Sequence, residues 1–466
     1  MAAGTILNLA PGASDNSSMT VRLNDTMVGA HSGSVPFNPT SVAVAASGLA
    51  NTALTAQTLT VNGSIYRAAV FTAVAPNPVQ LANIREGGTF APVAIAVNNG
   101  ATNFTGFTES LSSAFSGAAA NVTAAGSVTS LAPGATNSSA MTVALTNTAT
   151  AGAKSGTVNV TGTSIPVAGS GLSNLPLTSQ SLTVQGSVFR LAIASTHTPE
   201  PVAFGVRHVG DIVPSQALSV ANNAANDGFS ERLNGGIGSA TGGVTTNGGS
   251  FTQLAPGAPA NLSLGVGIST VTAGNKNGTA TISLLSDGTG TSGLAPLAIT
   301  AQTVNVTGQV NFFADPLLFF KIGSAVLQQI DATHFKLDFG QLIQNTGSYT
   351  ASFGVRNVLH DGTFQDTLGG TFNTASVTKF TLAGFTSFSG IASGSAFDPD
   401  VTFSTARPQG TYSDTLFINP SSANASGTSG LGTIQLDLGS QVVPEPGSAL
   451  LLALGGGLFL IRRRRN

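Results

Sequence analysis

The stretch Ser181–Arg190 reads SLTVQGSVFR, and its alternation decides the fold. Leu182, Val184, Gly186 and Val188 take every second position, with Thr183, Gln185 and Ser187 between them. A period of two belongs to a strand that turns one face to a core and the other to water. The segment returns as TLTVNGSIYR at Thr58–Arg67 and as TVNVTGQVNF at Thr303–Phe312. Gly63, Gly186 and Gly308 are thereby spaced by 123 and 122 residues. Two other markers keep this period. LAPGA occurs at Leu9–Ala13, Leu131–Ala135 and Leu254–Ala258, and Gly33, Gly156 and Gly278 recur in HSGSV, KSGTV and KNGTA. Three independent markers on one period define an internal repeat of about 122 residues.

Within a repeat, short alternating runs are broken by turn residues every 8–12 positions, as in an antiparallel sandwich. Pro-Gly makes LAPGA a loop, and Met141–Leu145 (MTVAL) resumes the strand pattern. No helical period stands out before the C-terminal tail. The expected organisation is all-β. A partial sandwich spans 1–75, full sandwiches span 76–198 and 199–314, a divergent sandwich spans 315–440 and a tail spans 441–466. The fourth unit lacks LAPGA and holds 13 of the 26 phenylalanines, which suits a larger aromatic core or a terminal cap. Leu9 falls in mid-unit, so about 60 further sandwich residues and a signal peptide are expected upstream.

Composition narrows the function classes. Only 8% of the 466 residues are charged, whereas 41% are apolar. Ordinary globular proteins carry roughly 25% charged residues. Gly, Asn and Ser supply turns while Thr and Val favour strands. The net charge is −2, and four of the 17 basic residues crowd into the last five positions. The body therefore lacks the basic patch that nucleic acid requires, and no nucleic-acid partner is expected. With no cysteine, disulfides, thiolate metal sites and a cysteine nucleophile are excluded.

Other constellations carry little chemistry. GTGTSG at Gly288–Gly293 has the letters of a dinucleotide loop but lies in an Asp-Gly turn of an all-β repeat. His31, His197, His208, His334 and His360 show no metal-ligand spacing and are expected at solvated or core-edge positions. Asp398 and Asp400 in FDPD, with Asp361 and Asp366 around a second turn, could hold calcium, but Asp also favours such turns for its own backbone bonds. No G-x-S-x-G elbow occurs. Trp is absent and Tyr66, Tyr349 and Tyr412 are the only tyrosines, which argues against a sugar-stacking lectin. No catalytic, cofactor or metal residues are assigned, and no enzyme activity is expected.

The third unit opens with VAFGVRHVGDIVPSQALSVANNA at Val202–Ala224. Its Phe204, Gly205, Val209, Gly210 and Asn222 resemble the choice-of-anchor-D type of Ig-like repeat. Val79–Gly100 matches more weakly without the Phe-Gly, and Leu337–Asn357 keeps Phe339 and Gly340. This resemblance implies tandem Ig-like folds and no activity.

The tail reads VVPEPGSALLLALGGGLFLIRRRRN. Pro444, Glu445 and Pro446 form an extended spacer, since proline is excluded from helix interiors. The 13 apolar residues Ala449–Ile461 form a short apolar helix in expectation. Such a helix would reach about 20 Å, short of a hydrocarbon core about 30 Å thick. Arg462, Arg463, Arg464 and Arg465 close the tail and favour the cytoplasmic side. This order resembles the PEP-CTERM sorting signal. The resemblance implies transient inner-membrane anchoring in a Gram-negative bacterium, recognition by an exosortase, and a destination at the cell surface or in a polysaccharide matrix. The expectation is a structural surface protein. The alternative is an adhesin or binding module whose site lies in the Phe-rich fourth unit.

Overall fold

The computed structural model describes residues 1–24, 26–73, 76–445 and 447. It is all-β, and the alternation of Ser181–Arg190 appears as the strand Gln180–Phe189, with Leu182, Val184 and Val188 buried and Thr183, Gln185 and Ser187 only partly so.

The second unit is a two-sheet sandwich. One sheet runs Val122–Ala125, Thr136–Leu145, Val93–Asn99, Phe71–Ala73. The other centres on Ser110–Ser116, Gly152–Ile165 and Gln180–Phe189. The third unit repeats the plan with Arg232–Ala240, Gly278–Asp287 and Leu297–Asn311 in the larger sheet and Gln216–Val220, Asn261–Ile268 and Val244–Thr246 in the smaller. The fourth does so with Gly410–Asn424 and Ile434–Val443 on one side and Ser348–Asn357 and Asp400–Ser404 on the other. Each has its own core of fully buried aliphatic and aromatic side chains.

One pairing per complete unit departs from the expected antiparallel order. Val79–Gln80 and Ile84–Arg85 run parallel to Gln180–Phe189, Val202–His208 runs parallel to Leu297–Asn311, and His334–Ile343 runs parallel to Ile434–Val443. In the second and third units the opening strand lies at a sheet edge beside the closing strand, whereas in the fourth Val326–Gln329 pairs outside His334–Ile343. The long stretch between the paired strands provides the crossover that parallel pairing needs. The Phe-Gly signature lies on this opening strand. The ladder shifts register between Ala203 and Val206 and between Asp338 and Gln341. Gly205 and Gly340 take φ of 66° and 69°, which glycine adopts without strain.

LAPGA is a tight turn entered through a left-handed residue. Asn8, Ser130 and Gln253 have φ of 53°, 52° and 55°, and Gly12, Gly134 and Gly257 follow at 79°, 75° and 74°. In the fourth unit nine of the 13 phenylalanines face inward, while Phe320 and Phe417 are exposed. Phe335, Phe339, Phe353, Phe380, Phe388 and Phe403 lie in the core, and Phe372, Phe385 and Phe397 pack against it. Ring pairs such as Phe388–Phe397, 4.9 Å between centroids, and Phe372–Phe397, 6.0 Å, tie the two sheets together.

The first unit differs. Its strands form two-stranded pieces, chiefly Gly29–Phe37 with Gln57–Ile65, and among the described residues no second sheet covers them.

Candidate functional sites in the tail and at the unit junctions

Pro444 and Glu445 follow the last strand, Ile434–Val443, and both are exposed. Pro446, the expected helix Ala449–Ile461 and Arg462, Arg463, Arg464 and Arg465 lie outside the described residues. Among those described, no helix is long and apolar enough to cross a membrane.

The acidic loops are occupied by local bonds. Asp361 Oδ1 accepts hydrogen bonds from the backbone N–H of Thr363 and Phe364, both 2.7 Å, which is the turn role of aspartate. Asp398 pairs with Lys321, and Asp400 accepts from the Ser352 hydroxyl. Among the described residues no three His, Asp or Glu side chains are grouped to hold a metal ion. The histidines are not merely solvated. His197 is almost fully buried and contacts Glu200 at 2.6 Å. Burial alone would raise the Glu200 carboxyl, but hydrogen bonds from His197 and Asn305 carry it below the ordinary glutamate value. His334 meets Asp437 at 2.8 Å and His360 meets Asp315 at 2.9 Å.

The most elaborate polar arrangement sits where one unit meets the next, and it recurs three times. Ala69, Ala192 and Ala314 each join the core of the unit that follows. Their backbone N–H groups donate to Ser164, Ser286 and Ser422 Oγ at 2.7, 2.8 and 2.9 Å. Each serine donates in turn to a buried carboxylate: Ser164 to Glu109 at 2.5 Å, Ser286 to Glu231 at 2.7 Å and Ser422 to Asp366 at 2.8 Å. Beside them Asn99, Asn222 and Asn357 accept from the backbone of Val70, Ile193 and Asp315 at 3.1, 3.2 and 3.0 Å. Their amide hydrogens reach the carbonyls of Glu109, Glu231 and Asp366. Asn222 is the asparagine that ends the quoted repeat signature, and here it welds the incoming peptide to its unit.

A buried carboxylate needs a compensating cation or several donors. Glu231 obtains both, because Arg85 of the preceding unit approaches with Nε 3.0 and 3.1 Å from its two oxygens. Arg85 Nη2 also donates to the Ala295 carbonyl at 2.6 Å. The GTGTSG loop finds its use here: Ser292 Oγ donates to Glu231 at 2.7 Å, and its carbonyl accepts from Asn83 Nδ2 at 2.9 Å. One repeat on, His208 replaces Arg85 and lies 2.9 Å from Asp366. Asn311 and Asn424 complete the shell of Asp366 at 2.9 Å each. Burial would raise the Asp366 carboxyl, yet hydrogen bonds from Asn311, His208, Ser422 and Asn424 hold it below the ordinary aspartate value. At Glu109, Ser164 provides the side-chain hydrogen bond, and no cation from a preceding unit stands there among the described residues.

Sequence reasoning missed this junction. The available signal was the repeat itself: Glu109 and Glu231 are 122 apart, and Arg85 and His208 are 123 apart. A lone acid or base in a low-charge chain reads as surface until it is aligned by the period.

No family model matches the sequence, and no curated protein matches it. Among solved structures, the chain resembles protocadherin gamma B2 extracellular cadherin domains 3–6 at 11% identity, with 81% of this chain and 73% of that chain covered and a TM-score of 0.28. It also resembles mouse protocadherin-24 EC1-3 at 13% identity, covering 79% and 98% with a TM-score of 0.30. Drosophila N-cadherin EC1-4 follows at 7%, covering 88% and 83% with a TM-score of 0.26.

Proposed function

We propose that this is an exported bacterial surface or matrix protein whose sandwiches form a stiff spacer. Its C-terminal tail is the address that an exosortase reads and removes. The observation that carries the spacer reading is the absence of a linker at the junctions. Val188 lies in one core and Ala192 in the next, and Val310 and Ala314 stand in the same relation. A chain that crosses from core to core so quickly leaves few backbone torsions to bend, and the buried carboxylates lock those that remain. Such a row holds whatever it carries at a fixed distance from its anchor.

The binding alternative drew on the phenylalanines of the fourth unit. Six of the 13 fill its core and three more pack against it, so composition there serves chiefly stability rather than a ligand. The proposed destination is the cell surface or extracellular polysaccharide of a Gram-negative bacterium, reached through transient inner-membrane anchoring by Ala449–Ile461. Pro444 and Glu445 suit processing, since they are exposed beyond the last strand. The test is the C-terminus of the mature protein, read by mass spectrometry of cell-surface material from the native host. Cleavage near Pro444–Pro446 is expected. Retention of Arg462–Arg465 would leave the tail a plain anchor and end the sorting proposal.

A further inference from the structure

We propose that the joint between the third and fourth units is closed by the protonated ring of His208 and loosens as pH rises through the imidazole range, while the joint before it does not respond. The two joints are built on one plan and differ in the cation. Arg85 closes the first of them, and a guanidinium stays charged at any physiological pH. His208 closes the second, and imidazole is the side chain whose charge changes between about pH 5 and 8.

The geometry selects the charged ring. Nε2 lies 2.9 Å from Asp366 Oδ2 in the fourth unit, and Nδ1 lies 3.7 Å from Asp211 Oδ2 in the third. Both ring nitrogens face carboxylates, although Asp211 Oδ2 takes its hydrogen bond from the His208 backbone N–H at 2.7 Å and so acts on the ring by charge alone. The ring stacks on Phe313 with centroids 3.6 Å apart, an arrangement that also favours a cation. The other neighbours are neutral. Asn424 Nδ2 is 3.2 Å from Nε2, but its hydrogens reach Asp366 at 2.9 and 3.1 Å. Asn311 likewise donates to Asp366. Nearby ionisable groups are committed elsewhere: Arg207 Nε donates to the Phe204 carbonyl, and His360 pairs with Asp315.

When the proton leaves, the ring loses its attraction to both carboxylates, and a bond from Nε2–H to Asp366 is left with a neutral donor. Without the cation, this edge keeps the bond from Asn311 to the Asp366 carboxylate and neutral contacts such as Ser426 Oγ accepting from Val206 N at 2.9 Å. The open population rises by whatever factor the closed joint prefers the protonated ring over the neutral one.

The chain has no cysteine, so labels can be placed cleanly on the full-length protein. Val271→Cys with Leu359→Cys reports the third–fourth joint, and Ala149→Cys with Ala225→Cys reports the second–third; all four positions are exposed. Pulsed electron resonance should give a narrow distance distribution across the third–fourth joint at pH 5.5, with a larger broad component at pH 8. The second–third distribution should stay constant. His208→Arg should remove the response and keep the joint narrow, and Arg85→His should move a response to the other joint. His208→Gln should be broad at both pH values. An unchanged third–fourth distribution between the two pH values overturns the proposal, and so does a pH response that survives in His208→Gln.

Discussion

Leu59 and Leu182 occupy the same position of the same motif, 123 residues apart, yet one is 52% exposed and the other 4%. Their strands pair alike. Gln57–Ile65 runs antiparallel to Gly29–Phe37 as Gln180–Phe189 does to Gly152–Ile165, with Val35 opposite Leu59 and Val158 opposite Leu182. What differs is the second sheet. In the second unit Val93–Asn99 and Thr136–Leu145 supply Ile95, Val97, Met141 and Val143 to a shared core. In the first, no such layer lies over the hairpin among the described residues. Strand formation is therefore local in this repeat and burial is not, which fits the marginal stability of isolated two-stranded ribbons.

The sharpest way to break this comparison is to truncate both leucines. Leu182→Ala should cost about 2–5 kcal/mol, through lost transfer energy plus a cavity. Leu59→Ala should cost under about 0.5 kcal/mol, as exposed substitutions do. Hydrogen exchange of the full chain should show lost protection along Gly152–Ile165 for the first and little change along Gly29–Phe37 for the second. Equal losses would mean that the first unit is covered in solution.

The junction serines should separate next. Ser164 gives Glu109 its side-chain hydrogen bond, whereas Glu231 keeps Arg85 and Ser292 if Ser286 is removed. Ser164→Ala should therefore cost about 1–3 kcal/mol, the penalty of stranding a buried polar group, and Ser286→Ala about 1 kcal/mol or less. Local exchange at Ala69 and Ala192, whose N–H groups these serines accept, is the readout.

A methyl group on the shared glycine gives a smaller contrast. A Cβ on Gly186 would lie 2.8 Å from Phe90 and 3.2 Å from Leu81, both buried, so overpacking of about 1–3 kcal/mol is expected. On Gly63 it would meet only the Cδ1 end of Leu23, at 2.7 Å, which can swing aside. Thermal unfolding of Gly186→Ala and Gly63→Ala should shift in that order.

Acid gives the mildest test. The Asp366 carboxyl sits below its ordinary value in the folded chain, so its stabilisation is complete above the unfolded value of about 3.9. It is lost as pH falls through the lowered folded value. Hydrogen exchange at the third–fourth joint should weaken in that window, and Asp366→Asn should blunt the change.

Much of the fold was legible because repetition substitutes for an alignment. The period marked equivalent strands, turns and glycines, and alternation told which face of Gln180–Phe189 would be buried. The parallel pairing was not legible, since alternation within a strand says which face is buried but not which strand it pairs with, and Val79–Gln80 and Ile84–Arg85 have only two residues each. The role of the phenylalanines was open for a similar reason. A residue count cannot say whether rings face a core or a partner. The junction escaped because its partners lie far apart in sequence, Arg85 and Glu231 in different units.

The sequence by itself determined the local geometry. Asn8, Ser130 and Gln253 adopt the same left-handed conformation before LAPGA, although among the described residues the first unit shows no buried core to impose it. Pro-Gly turns and alternating strands need only their neighbours in the chain. Tertiary structure alone decided which apolar faces were covered and which charges were buried. Leu59 and Leu182 follow the first rule equally and part only at the second. Burial depends on a second sheet, and the pairing of Glu231 with Arg85 depends on a second unit, and neither is encoded within a strand's own length.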